Sequence, residues 1–364
     1  MIDRTAAGHV HYGATSQDLA DSVLVLQLRH ACAVLIRDLS RLAPALAGLA
    51  ERQRGTVMLA RTLMQPALPT TLGAKSASWL IAVEDGLARL ERERDHALTL
   101  QFGGAAGTLS ALGGRGMAVA RRLAALLDLP LPPMPWHTRR DGVAGLAAAI
   151  GILIGSLGKI ARDLSLLSQA ELGEVAEPSG QGRGGSSTLP HKRNPIASMV
   201  TLAAATRAPG LVATILSAMV QEQERALGGW QAEAPTLSAL FEAAHGATLA
   251  MVEAIEGLQV DPAAMAANLE RLNGLVLAER LMLTLAPAMG RNEAHHLVEA
   301  LSRQAAAENR HLRDLAMHDP RIAARLEPME IARLFDPSGY LGAVDEFIDA
   351  ALAVHRAADT IRRS

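Results

Sequence analysis

The densest chemistry in the sequence lies between residues 180 and 195: Gly180-Gln181-Gly182-Arg183-Gly184-Gly185-Ser186-Ser187-Thr188-Leu189-Pro190-His191-Lys192-Arg193-Asn194-Pro195. Its glycines exclude a helix and leave backbone N–H groups free to cradle an anion. Ser186 or Ser187 can give or take a proton there, with Lys192 as countercharge. A flexible linker has the same Gly/Ser composition. The ordered Pro190-His191-Lys192-Arg193-Asn194-Pro195 that follows argues against a slack tether.

Other polar groups cluster at breaks between apolar runs. In His11-Tyr12-Gly13-Ala14-Thr15-Ser16-Gln17-Asp18, Ser16 or Asp18 is spaced to cap a helix beginning near Leu19. A helix N-terminus also attracts anions, so capping and anion binding are compatible there. His137, in Pro135-Trp136-His137-Thr138-Arg139-Arg140-Asp141, is either a substrate contact or a packing residue before a helix. Arg225, in Glu224-Arg225-Ala226-Leu227-Gly228-Gly229-Trp230-Gln231-Ala232-Glu233, is either a carboxylate fork or a solvated helix-surface arginine. No His-Glu-x-x-His or carboxylate cluster suggests a metal, and the adjacent His295 and His296 are expected to face apart on a helix.

The elements that must position these groups are helices. From Leu24 the residues Leu28, Ala31, Leu35, Leu39, Leu42, Leu46 and Leu49 recur at steps of three and four, which predicts one apolar seam, with a kink or break near Ser40 ahead of Pro44. Leu146, Ile150, Leu153, Leu157, Ile160, Leu164 and Leu167 repeat the pattern, and a helix over 141–173 would extend about 50 Å. Its other faces carry Gly145, Gly151, Gly155 and Gly158 among alanines, so it is expected to be buried on nearly every side. That is hard to arrange within one chain, and an oligomer pooling long helices follows. Further helices are expected over 71–98, 196–223 and 234–258, and strand alternation is not evident. Asp261-Pro262 reads as an N-cap followed by proline at the first helical position and marks a boundary. The expected division is 1–17, a remnant of a first domain; 18–260, a central long-helix bundle; and 261–364, a helical C-terminal domain.

Composition narrows the function classes. With 364 residues, 49% apolar, 20% charged and 2% aromatic, the chain is an all-α candidate with more than one core. A net charge of −2 with basic residues spread along the chain gives no footprint for nucleic acid or an anionic membrane. Residues 142–158 fall short of the ~20 strongly apolar residues that cross a bilayer. The lone Cys32 excludes a disulfide within the chain and fits a cytoplasmic location.

The loop at 180–195 resembles the fumarase/aspartase superfamily signature Gly-Ser-Ser-x-Met-Pro-x-Lys-x-Asn-Pro, with Leu189 in place of Met. The resemblance implies that Ser186 exchanges a carbon-bound proton as the loop closes, while Lys192 and Asn194 bind and polarise a substrate carboxylate beside Ser187. The His11 element resembles the superfamily's His-x-Gly-x-Thr-Ser-x-Asp, which implies that His11, Thr15 and Ser16 contact substrate. Ala60-Arg61-Thr62-Leu63-Met64-Gln65-Pro66-Ala67-Leu68-Pro69-Thr70-Thr71 resembles the segment that carries a Thr-His pair in most of these lyases, with Gln65 as a substrate contact and Leu63 where the histidine stands. Met199 likewise stands where those lyases often place a glutamate.

Leucine transfers no proton, so ordinary elimination of an amine or of water should suffer, whereas a lactonising cycloisomerase, whose leaving group is a stable carboxylate, needs no such acid. Residues 101–108, 135–141 and 224–233 resemble the superfamily's 3-carboxymuconate cycloisomerases. That branch implies interconversion of 3-carboxy-cis,cis-muconate and 4-carboxymuconolactone in protocatechuate breakdown, with no cofactor or metal. It also implies homotetramers whose active sites draw on three subunits. The rivals are an adenylosuccinate- or argininosuccinate-type lyase and a non-catalytic scaffold. The likeness starts at the His11 element, where family members carry a substantial preceding segment, so a chain shortened at its N-terminus is expected.

Overall fold

A computed structural model describes residues 4–179, 189 and 192–363. Helices dominate: α1 (Arg4–Ala7), α2 (Ser16–Arg52), α3 (Leu72–Ala97), α4 (Gly116–Leu127), α5 (Asp141–Leu167), α6 (Ile196–Ala218) and α7 (Gly229–Glu256). The C-terminal helices are α8 (Pro262–Glu270), α9 (Ala278–Met289), α10 (Arg291–Glu308), α11 (Leu312–His318), α12 (Pro320–Ala323), α13 (Pro328–Leu334) and α14 (Val344–Arg363). The all-α expectation holds, with two small departures. β1 (Val57–Thr62) pairs antiparallel with β2 (Gln65–Thr71), and β3 (Val175–Ala176) with β4 (Gln259–Val260).

The apolar seams are where the spacing puts them. In α2, Leu28, Leu35, Leu39, Leu42, Leu46 and Leu49 are buried, although Val25 and Cys32 take the inner positions beside the half-buried Leu24 and Ala31. Each such leucine contributes roughly 1.5–3 kcal/mol of transfer free energy. A kink or break was expected near Ser40; there is no break, and α2 is continuous from Ser16 to Arg52 with Pro44 inside it. Proline removes one backbone hydrogen bond, and the buried side chains on both sides hold the helix through that loss. In α5 all seven seam residues are buried, but Ile152 is 50% exposed, so one face is left open. α6 stops at Ala218, short of the expected 223, and α7 starts at Gly229, ahead of the expected 234. By length and composition α2, α5 and α6 could each cross a membrane, which corrects the reading that 142–158 is too short.

The contacts divide the chain into two compact units. The first comprises 1–43, 82–162 and 196–254. Small residues set its packing: a Cβ on Gly151 would lie 2.5 Å from Val212 Cγ2, and one on Gly158 would lie 2.7 Å from the Ala205 methyl, so α5 admits α6 at close range. The second unit comprises 44–81, 163–195 and 255–364. Its C-terminal core gathers Leu281, Leu285, Leu301, Leu312 and Ile322. Glu174, fully buried, accepts from both Arg61 guanidinium nitrogens at 2.9 and 2.7 Å and from Asn268 at 2.7 Å, which ties β1 to α8. Asp261 caps α8 by accepting from the Ala264 N–H at 2.9 Å, with Pro262 at the first position, as the sequence predicts.

Candidate active site

In the first unit, the N-terminus of α2 is the organising feature. Thr15 is its N-cap, and the Asp18 carboxylate reaches back to accept from the Thr15 N–H at 3.0 Å. This leaves the Thr15 hydroxyl free to face outward, where Arg225 Nη1 donates to Thr15 Oγ1 at 2.7 Å. Thr15 and Arg225 are both half-buried, and Ser16 is exposed on the first turn. A cation and a hydroxyl therefore meet at the positive end of a 37-residue helix. That arrangement is chemically suited to a carboxylate, the group the fork reading of Arg225 calls for. His11 is exposed, has φ of +63°, and accepts through its carbonyl from the Ala14 N–H.

Asp18 holds the surrounding loops together, a role the sequence reading gave only as a cap. Its Oδ1 accepts from Gln101 Nε2 (3.0 Å) and the Gly103 N–H (2.9 Å), and it lies 2.8 Å from His137 Nε2. Its Oδ2 accepts from the N–H groups of Gly104 (2.8 Å) and Thr15 (3.0 Å). Burial opposes ionisation, but the hydrogen bonds from His137, Gln101, Thr15 and Gly104 outweigh it and hold the carboxyl below its ordinary value. Both glycines are required. A Cβ on Gly103 would meet the Pro135 ring at 2.7 Å and His137 at 2.9 Å, and Gly104 has φ of +74°. His137 is only 4% exposed, so its contact with Asp18 favours a packing and orienting role over direct substrate contact.

The other predicted residues belong to the second unit. Gln65 is exposed at the start of β2, paired with Thr62. Between these residues the hairpin turns through Leu63 and Met64, with φ of +51° and +66°, and Leu63 is 97% exposed. Lys192 is exposed and Asn194 half-buried. Between them Arg193 donates to Gln259 Oε1 and to the Glu177 carbonyl, both at 3.0 Å, which anchors the end of the signature loop. Ser186, Ser187 and His191 lie outside the described residues.

A groove of about 850 Å³ in the first unit lies against α4, lined by groups such as Tyr12, Leu19, Val23, Phe102, Val119 and Leu126. Its walls are mostly apolar, with His9, His11, Arg115 and Arg122 also among the lining groups, and neither Thr15 nor Arg225 lines it. On α10, His295, His296 and Glu299 each bring one ligand atom within 4.8 Å of the others on an exposed surface. Adjacent histidines were expected to diverge, but their long side chains converge across the helix surface.

Comparison with known proteins bears on the family and the fold. The sequence profile of the lyase family matches residues 2–210, and that of the adenylosuccinate lyase C-terminus matches residues 274–351. The 3-carboxy-cis,cis-muconate cycloisomerase of Bradyrhizobium diazoefficiens is 50% identical over 350 residues, which are 96% of this chain and 78% of that protein. The protein of the same name from Pseudomonas aeruginosa is 51% identical over 355 residues, 98% of this chain and 77% of its own length. The crystal structure of the 3-carboxy-cis,cis-muconate lactonizing enzyme from Pseudomonas putida matches with a TM-score of 0.92 at 45% identity, covering 96% of this chain and 78% of that one.

Proposed function

This chain belongs to the lyase family, in its 3-carboxy-cis,cis-muconate cycloisomerase branch, and we propose that its site works by moving one proton at a carbon beside a carboxylate. It interconverts 3-carboxy-cis,cis-muconate and 4-carboxymuconolactone. In the lactonising direction a carboxylate oxygen of the substrate adds across a double bond, and a proton is delivered to the neighbouring carbon. In reverse the proton leaves carbon and the C–O bond breaks, releasing the carboxylate. Ser186 carries the proton, and Lys192 and Asn194 stabilise the carboxylate next to the reacting carbon, where negative charge develops. Thr15, Ser16 and Arg225 hold another carboxylate in place, with Gln65 and Ser187 as further contacts.

Leu63 carries this reading. It stands at the hairpin tip, where lyases of this fold place the histidine that protonates a leaving group, and it is apolar and 97% exposed. Lactone opening expels a carboxylate that needs no such acid, whereas amine elimination does. Spectrophotometry tests the assignment. Loss of diene absorbance on adding 3-carboxy-cis,cis-muconate is expected, and release of fumarate from adenylosuccinate or argininosuccinate in its place would overturn it.

A homotetramer with active sites shared between subunits is part of the proposal, and so is a cytoplasmic location, which rests on the lone Cys32. The most apolar 18-residue window of α6 is only 22% buried within its own chain, and Met199, Val200, Leu216 and, on α5, Ile152 are exposed. Helices of other copies would cover these faces as a helix bundle requires. The segments carrying Thr15, Gln65 and Ser186 would then meet from three different chains, and solution mass by light scattering tests that assembly.

A further inference from the structure

The Arg225–Thr15 pair joins two separate pieces of chain, and nothing in either piece alone fixes the distance between them. Thr15 caps α2, whereas Arg225 stands in the connection between α6 and α7. Both pieces meet at Arg140, the last residue before α5, whose side chain is 1% exposed. Arg140 Nη1 and Nη2 donate to the two oxygens of Asp21, one further turn along α2, at 2.9 and 3.0 Å. Arg140 Nε donates to Glu233, in the first turns of α7, at 2.9 and 3.0 Å, and Nη2 makes a second bond to the same carboxylate. The guanidinium also stacks over Trp136, 4.7 Å from the ring centroid.

Neutral donors complete the cluster. Gln17 donates to Asp21 Oδ2 at 3.2 Å, the Trp230 indole N–H to Asp21 Oδ1 at 2.9 Å, and Gln221 to Glu233 Oε1 at 3.2 Å. Two buried carboxylates thus share one buried cation, and every carboxylate oxygen has at least two donors. An incomplete version of such a network would be strongly destabilising, and a plain apolar core would serve stability as well. What this network adds is geometry, because it bolts α2 to both ends of the connection carrying Arg225. Gln221 holds the connection's start, Trp230 and Glu233 hold its end, and the Thr138 hydroxyl, two residues from Arg140, donates to the Gln223 carbonyl at 2.9 Å.

We propose that Arg140, with Asp21 and Glu233, is a positioning device that sets the spacing of Thr15 and Arg225 and so the affinity of the site for a substrate carboxylate. This rests on the reading that Thr15 and Arg225 bind that carboxylate, and a double-mutant cycle separates the two ideas. Steady-state kinetics with 3-carboxy-cis,cis-muconate are measured for Arg225→Ala, Glu233→Gln and the double variant. Arg225→Ala should raise KM about 30-fold and leave kcat within about threefold, as for an interaction present equally in ground and transition states. If it does not, the carboxylate reading fails.

Given that result, Glu233→Gln should raise KM about tenfold with kcat nearly unchanged, and should add less than about twofold in the Arg225→Ala background. Should the tenfold persist in that background, or should Glu233→Gln leave KM alone, the positioning role is overturned. If Glu233→Gln does not fold, Thr138→Val, which removes only the tether to the Gln223 carbonyl, takes its place with the same two outcomes on a smaller scale.

Discussion

Replacing Ser186 with alanine is expected to lower turnover of 3-carboxy-cis,cis-muconate about a thousandfold, the range over which positioned proton-transfer groups act. The assembly should be unaffected, so light scattering should give the same mass as for the parent, about four times 38.3 kDa if the proposed tetramer forms. A serine hydroxyl is a poor base in water and becomes useful only where N–H groups and a cation share the charge that develops. Lys192 and the glycine-rich stretch carry both in the sequence, and Arg193 beside Lys192 is held by Gln259 and the Glu177 carbonyl. The KM of the variant should stay within a few-fold of the parent, because the substitution leaves the proposed carboxylate contacts at Thr15 and Arg225 in place. Undiminished turnover in Ser186→Ala would mean that another group moves the proton.

Asp18→Asn should cost about 3–5 kcal/mol of stability, the scale for breaking a buried charged network. The amide that replaces one carboxylate oxygen would point N–H at N–H, toward Gly104 and Thr15 or toward Gln101 and Gly103. The pH dependence gives a second readout. Asp18 has a lower pKa folded than unfolded, so below its ordinary value the unfolded chain takes up more protons. Its contribution is therefore complete above about pH 5 and is lost as pH falls from about 4 through the folded value. Thermal unfolding from pH 7 downward should show the parent and Asp18→Asn far apart at neutral pH and converging in acid. A gap that does not change with pH would remove Asp18 from this role.

Much of the architecture could be read from the sequence because long helices write themselves at steps of three and four. The seams of α2 and α5 needed only a register shift, to Val25 and Cys32, near one end. The β1–β2 hairpin left no such trace. β2 contains Pro66 and Pro69, which mask alternation, and its turn is Leu63-Met64 instead of the Asn-Gly that normally marks two left-handed positions. α7 begins among glycines ahead of Pro235, where local propensity argues for a loop and the Arg140–Glu233 bond holds a helix.

At the site, single residues with familiar neighbours were legible, and long-range pairings were not. Thr15 and Arg225 lie 210 positions apart, and no spacing rule connects them. Ser16 or Asp18 was expected to cap a helix from Leu19, but the helix starts at Ser16, Thr15 is its cap, and Asp18 braces it from the first turn, with four other partners more than eighty positions away. His137 was left between substrate contact and packing, and burial against Asp18 favours the second.

The most direct test of proton delivery to carbon is NMR of the product formed from 3-carboxy-cis,cis-muconate in D2O. One deuterium on the carbon beside the carboxylate of 4-carboxymuconolactone is the expected result. A lactone with no solvent-derived hydrogen at that carbon, or a diene that persists unchanged with active, assembled protein, would contradict the account.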